Sequence, residues 1–204
     1  MKNLSNILTS AFLAGLCIAI AGLAYIKNHD LTGAVLFSFG LLTVVHYKLF
    51  LYTGTAGFFT NKAEFVRLLP ILAGNILGCA AGAAAFRYCS DVFTLVDPIV
   101  HKRISTSVGG CLILGIGCGF IMTTAVQFAR ESKFLPLLFG VPAFIMCGFY
   151  HSIADAFYYA AWLSFDNIEL WMDVFISWIV TVLGNFIGCN LYRAVLVKPT
   201  PEKN

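Results

Sequence analysis

A histidine and an aspartate four residues apart, His151 and Asp155, lie in the stretch Phe149-Tyr150-His151-Ser152-Ile153-Ala154-Asp155-Ala156-Phe157. Residues i and i+4 share one face of a helix, so the two can act together. Histidine takes up and releases protons near neutral pH, and a carboxylate beside it favours the imidazolium. A second cationic candidate, Lys48, is embedded in another apolar run, next to His46 and Tyr47. An ionisable residue inside hydrocarbon is costly and marks a functional site by default. Three roles are open to Asp155: supporting a charged His151, pairing with Lys48, or accepting hydrogen bonds from freed backbone N–H groups. Ser152 adjoins His151 but adjacent helical residues do not face each other, so no hydrolase-like pair is read there.

The composition makes the membrane setting compulsory. Of the 204 residues 59% are hydrophobic and 11% charged, whereas a soluble domain carries about 25% charge. A net charge of +3 is too small to imply nucleic acid as a partner. Six of the seven cysteines, all but Cys89, lie in apolar Gly/Ala-rich runs, where cysteine behaves as a small hydrophobe. No cysteine or histidine spacing suggests a metal, no cofactor motif is present, and no nucleophile-and-base set points to an enzyme.

A spanning helix needs about 20 apolar residues. Six segments meet this: roughly 8–26, 32–59, 67–88, 106–128, 134–162 and 168–194. The first resembles a signal peptide, with Lys2 ahead of it and Ala19-Ile20-Ala21 within it. Its apolar run continues past that point, so it is expected to be retained as a span. Counting lysines and arginines, the side holding both termini and the second and fourth loops carries eight, and the opposite side four, namely Lys27, Arg87, Lys102 and Arg103. Both termini are therefore expected in the cytoplasm, with 198–204 a disordered tail.

Segments 32–59 and 134–162 are too long and too polar for plain spans. An unbroken helix over the latter would run ~43 Å, against a hydrocarbon core of ~30 Å. It also holds Pro136, Pro142, Gly148, His151 and Asp155. Both are read as helices broken at membrane depth, tolerated only where the freed backbone is buried in protein or faces a wet cavity. The halves also correspond. Gly74-Asn75-Ile76-Leu77-Gly78-Cys79 matches Gly184-Asn185-Phe186-Ile187-Gly188-Cys189. Three spans per half is odd, so the expected fold is all-α, six transmembrane helices in a 3+3 inverted repeat with helices 2 and 5 broken. One channel domain over 1–197 is expected, with repeats at about 8–90 and 104–194. The glycines allow close helix approach, and Asn75 and Asn185 are expected to satisfy backbone groups released at the breaks.

These motifs resemble a known family. Gly148-Phe149-Tyr150-His151-Ser152-Ile153-Ala154-Asp155 is similar to the Gly-Phe-Glu-His-Ser-Ile-Ala-Asn signature of formate/nitrite transporters. Leu51-Tyr52-Thr53-Gly54-Thr55 resembles that family's Leu-Phe-Thr-Ser-Thr loop. The resemblance covers nearly the whole chain. It implies an aquaporin-like protomer in a homopentamer of the bacterial inner membrane. It also implies conduction of small weak-acid anions such as formate, nitrite or acetate, His151 as the central pore histidine and Thr53 facing it. Phe50 or Leu51 would form apolar constrictions. Tyr150 stands where the family has Glu, Asp155 where it has Asn, and Lys48 where a small residue is usual. Lys48 would concentrate anions at a vestibule. If Lys48 and Asp155 pair instead, the pore suits a small neutral or cationic solute. Thr123, Thr124 and Gln127 are placed at the cytoplasmic vestibule, His46 is read as structural, and Trp162, Trp171 and Trp178 as belt or interface aromatics.

Overall fold

In a computed structural model the chain is all-helical over residues 3–195, the residues the structure describes. The helices are α1 (Leu4–Asn28), α2 (Leu31–His46), α3 (Tyr52–Thr55), α4 (Lys62–Cys89) and α5 (Val92–Ile104). They continue as α6 (Val108–Arg130), α7 (Leu135–Met146), α8 (Ser152–Trp162) and α9 (Trp171–Val195), with a 3-10 segment Phe165–Leu170 before the last. The expected tail 198–204 lies outside the described residues. Side chains set several helix starts. Asp30, Asn61, Asp91 and Ser107 accept the backbone N–H of Gly33, Glu64, Thr94 and Gly110 in turn, the usual satisfaction of a first-turn donor.

Four helical stretches are long and apolar enough to cross a membrane: Leu4–Asn28, Lys62–Cys89, Val108–Arg130 and Phe165–Ala194. They associate as two tight pairs, α1 with α4 and α6 with α9. In lipid there is no hydrophobic drive between helices, so close backbone approach has to supply the attraction. A Cβ on Gly78 would collide with the Phe12 carbonyl, and one on Gly188 with the Ile116 carbonyl. Each pair runs parallel. Cys111 meets Ser177, Gly115 meets Gly184, and Thr123 adjoins Cys189 at the far end of a shared cavity.

Residues 32–59 and 134–162 are each two helices separated by a non-helical stretch, 47–51 and 147–151. The two stretches superimpose in sequence at an offset of one hundred. Lys48 takes φ 51° and Gly148 φ 71°. Leu49 N–H returns to the Val44 carbonyl and Phe149 N–H to that of Phe144. This is the left-handed helix stop that glycine normally provides, and Lys48 occupies it at a cost.

Asn75 and Asn185 hold the stretches in place. Asn75 Oδ1 accepts Tyr52 N–H, and its amide donates to the carbonyls of Phe50 and Ala11. Asn185 Oδ1 accepts Ser152 N–H, and its amide donates to the carbonyls of Tyr150 and Gly115. All these distances are 2.8–2.9 Å.

Two expectations change. Residues 92–104, read as a loop, form α5, because Val92, Val96, Ile99 and Val100 make a buried stripe at helical spacing. Trp162 is not a belt residue: it is 2% exposed and its indole N–H donates to Asp97 Oδ1. Trp178 likewise donates inward, to the Ser152 carbonyl. Cys147, by contrast, is exposed.

Asn185→Leu is expected to orphan Ser152 N–H and the Tyr150 carbonyl together and to cut the tie to the Gly115 carbonyl on α6. At about 1–3 kcal/mol per buried unsatisfied group, the purified protein should lose most of its thermal stability in detergent. Asn75→Leu should behave alike. A melting temperature within error of the wild type for either variant would contradict the role given to these amides.

Candidate functional site

His151 is the residue just before α8 and caps it: its Nδ1 accepts Ala154 N–H at 3.1 Å. An accepting Nδ1 carries no proton, so in the neutral ring Nε2 must carry it. Nε2 lies 3.0 Å from Thr53 Oγ1, so the imidazole donates and Thr53 accepts. The Thr53 hydroxyl hydrogen has no other partner among the described residues and is free for a third group. His151 is 1% exposed and Thr53 0%. The start of α3 thus meets the residue just before α8 at one polar contact, roofed by aromatics. Phe144 stacks on His151 at 5.6 Å and Phe37 sets an edge against Phe144 at 6.1 Å. Neither phenylalanine stood out in the sequence, where both read as ordinary apolar helix residues.

The repeat ties the contact to the scaffold. Cys79 Sγ donates to the Ile153 carbonyl in the other half, and Cys189 Sγ to the Thr53 carbonyl. Ile153 and Thr53 occupy equivalent positions, as do His151 and Leu51. The polar pair therefore breaks the internal symmetry: one half supplies the imidazole and the other the hydroxyl. Phe50, Leu51 and Tyr150 are all buried beside this contact in sequence. Phe50 N–H donates to Ser10 Oγ, and the Tyr150 hydroxyl meets Thr106 Oγ1 at 2.8 Å.

Asp155 is fully buried and does not pair with Lys48. Its Oδ1 receives the Nε–H of Arg103 at 2.5 Å. The Arg103 guanidinium lies 4.5 Å from the Tyr150 ring centroid and 5.5 Å from that of Tyr158, within cation–π range. Lys48 is exposed on the outside of the helix stop, because the left-handed turn throws its side chain away from the interior that His151 faces. The Lys48–Asp155 pair, and the neutral or cationic solute argued from it, lose their premise. Arg103 was counted only as a loop charge. The signal was present, since Arg103 continues the Val92, Val96, Ile99, Val100 stripe.

A cavity of about 230 Å³ opens at the other end of the bundle, lined by Gly57, Phe58, Thr123, Gln127, Cys189 and Arg193 among others. Thr124 lines it as well. Arg130 sits over Phe58 and Arg193 over Phe59, at 3.7 and 4.1 Å. From Cys111, near Arg103, to Gln127, at this cavity, is about 24 Å along α6. The His151–Thr53 contact lies between the two charged ends. No group of three or more metal-ligating side chains occurs among the described residues.

Long apolar helices packed on glycine, with a buried polar contact between two charged ends, define a polytopic membrane protein of the channel and transporter class. The chain belongs to the formate/nitrite transporter family, whose model matches residues 1–198. Formate-nitrite transporters of Plasmodium knowlesi and Plasmodium malariae are 24% and 28% identical over 95% of this chain. The chain spans 64% of the length of each. The formate channel BtFdhC of Bacillus thuringiensis is 26% identical over 78% of this chain and 68% of its own length. Among solved structures, a pentameric formate channel with formate bound superimposes with a TM-score of 0.79 at 21% identity, covering 95% of both chains. An FNT family ion channel gives 0.83 at 16% identity, covering 94% of this chain and 88% of the other. These likenesses establish the fold.

Removing one member of the buried ion pair strands the other. Asp155→Leu is expected to cost about 3–5 kcal/mol, and the double variant Arg103→Met/Asp155→Leu to recover most of it. Thermal unfolding of the three variants forms the cycle, and strictly additive losses would show that the pair is not coupled.

Proposed function

We propose that this chain is a channel or proton-coupled transporter for small monovalent weak-acid anions of the formate and nitrite kind. The observation that carries the proposal is the His151–Thr53 contact, buried where the two helix interruptions give way to α3 and α8. In this reading the chain is one domain of six spans, a 3+3 inverted repeat over about 8–90 and 104–194. α2 with α3 and α7 with α8 are then the broken second and fifth spans. Short α2 and α7 support it, being apolar but only 16 and 12 residues long. Backbone groups at 50–52 and 150–152 find partners outside their own helices, in Ser10, Asn75, Leu114 and Asn185, as a bilayer interior requires.

Each protomer of a homopentamer then carries its own pore in the lipid bilayer, with both termini in the cytoplasm and the Thr123 cavity as the inner vestibule. The retained asymmetry of basic residues supports this orientation and a cytoplasmic-membrane location. Burial of Arg103 removes one exposed charge from the opposite side and strengthens it. The pentamer is taken from the pentameric formate channel of like fold.

The chemistry follows from the cost of charge. A bare anion among Phe37, Phe144 and Leu51 would lose its hydration with little in return. A weak acid avoids the cost by crossing that zone with its proton. Thr53 offers its free hydroxyl hydrogen to a carboxylate or nitrite oxygen. The Nε2–H of His151 holds the threonine oxygen as acceptor and so directs that hydrogen outward to the permeant. Phe50, Leu51 and Tyr150 wall the passage. Lys48, outside the stop, contributes only a distant field.

Proteoliposomes should take up labelled formate, with uptake rising as external pH falls from about 7 to 5 because the protonated fraction grows. His151→Asn should reduce the rate roughly tenfold or more, the scale of one lost buried polar contact. Absence of formate, nitrite and acetate flux at every pH would reject the proposal. Unaltered flux in His151→Asn would reject the assignment of the histidine.

A further inference from the structure

Two patches on the outer surface of the protomer carry backbone that lipid cannot satisfy. At the interruptions the carbonyls of residues 46–48 and 146–148 accept no hydrogen bond among the described residues. His46, Tyr47 and Lys48 are exposed, as are Met146 and Cys147, and a Cβ on Gly148 would meet nothing within 4 Å. Irregular backbone at membrane depth is tolerated only against protein or water. The apolar surface beside both patches is equally bare. Phe39 on α2 and Phe139 on α7, one hundred residues apart like the interruptions themselves, are each 69% exposed.

The patches are alike in backbone and opposite in side chain. Beside the first stand three donors, the His46 ring, the Tyr47 hydroxyl and the Lys48 ammonium. Their side chains make no hydrogen bond or ion pair among the described residues. The second patch has only the weak thiol donor of Cys147, and the last turn of α7 holds no basic residue. The last carbonyls of a helix carry partial negative charge, and a cation beside them is favourable. α2 has His46 in its last turn; α7 ends without one. Lys48 keeps a left-handed backbone, φ 51°, against the clash of its own Cβ. That strain places an outward cation with no partner in its own protomer.

We propose that the α2 patch of one protomer docks on the α7 patch of a second copy of this chain, with Lys48 and Tyr47 donating to the partner's carbonyls at 146–148 and to the end of its α7. Donors meet acceptors, and a cation meets the negative end of a helix. Because the two faces differ, the contact is head-to-tail and closes a ring when repeated. This rests on the homopentamer of the reading above and names the surfaces that build it. The acceptor patch directly precedes His151 in the chain. Each protomer thereby completes the stretch that positions its neighbour's histidine.

Tyr47→Cys, set against the native Cys147, puts one thiol on each patch. In proteoliposomes a short bifunctional maleimide should then give a ladder from dimer to closed ring on a denaturing gel. Adding Cys147→Ser should abolish the ladder. The second arm is Lys48→Gly, which relieves the left-handed strain and removes the donor. The melting temperature of its protomer should hold or rise, while its oligomer dissociates about tenfold more readily in detergent, the scale of one lost hydrogen bond to a charged group. A residue that only shaped the protomer would move both readouts the same way. Lys48→Arg should keep the wild-type oligomer. An assembled oligomer with no cross-link through Cys147 overturns the docking, while formate uptake by the wild type upholds the transport reading. So does a Lys48→Gly oligomer as tight as the wild type, the result expected if lipid phosphates hold Lys48. Wild type that is monomeric in native mass spectrometry overturns the docking and the pentamer together. Should Tyr47→Cys not assemble, the Lys48 variants decide.

Discussion

Backbone groups released inside an apolar bundle must find protein partners, and two asparagine side chains supply them. Each carboxamide offers an acceptor and two donors. Asn75 and Asn185 use all of these on the backbone where an interruption gives way to the next helix and on a neighbouring long helix. Without them the interruptions would be prohibitively costly in lipid. With them, the chain can end a helix in mid-bundle and turn the next residues toward the interior. His151 and Thr53 meet there for that reason. The glycines at 78 and 188 serve the same end, since the long helices must lie close for each amide to reach across.

The two halves share this scaffold and differ in what they place on it. At equivalent positions one half has His151 and Ile153, the other Leu51 and Thr53. Symmetry of backbone with asymmetry of side chain yields one polar contact instead of two. A second histidine at position 51 would add a buried polar group with no hydroxyl opposite, because Ile153 offers none. At the helix stop the asymmetry runs the other way: Gly148 adopts its left-handed conformation freely, whereas Lys48 does so against the clash of its own Cβ.

The buried ion pair is the second polar feature inside the apolar bundle. Burying two charges is seldom a net gain in stability, and the tyrosine faces around Arg103 offset part of the cost. The pair ties α5 to α8 and holds the Arg103 guanidinium beside Tyr150, the residue before His151. One carboxylate thereby does two jobs: it neutralises an arginine inside a membrane protein and orients it.

Much of the scaffold was legible from the chain itself. Apolar run length, the excess lengths of 32–59 and 134–162, and the repeated Gly-Asn-x-x-Gly-Cys element depend on local composition and spacing, and lipid makes those decisive. His151 and Thr53 were legible for the same reason, as polar residues at marked breaks. Partner choice was not. Asp155 had cations at 48 and 103 available, and sequence spacing favours neither, since the deciding quantity is the direction in which each side chain leaves its backbone. A left-handed stop sends Lys48 outward, while the stripe of α5 turns Arg103 inward. Only the packing of α5 on α8 brings that guanidinium to the carboxylate, because contacts fifty-two residues apart are set by tertiary geometry and leave no local pattern.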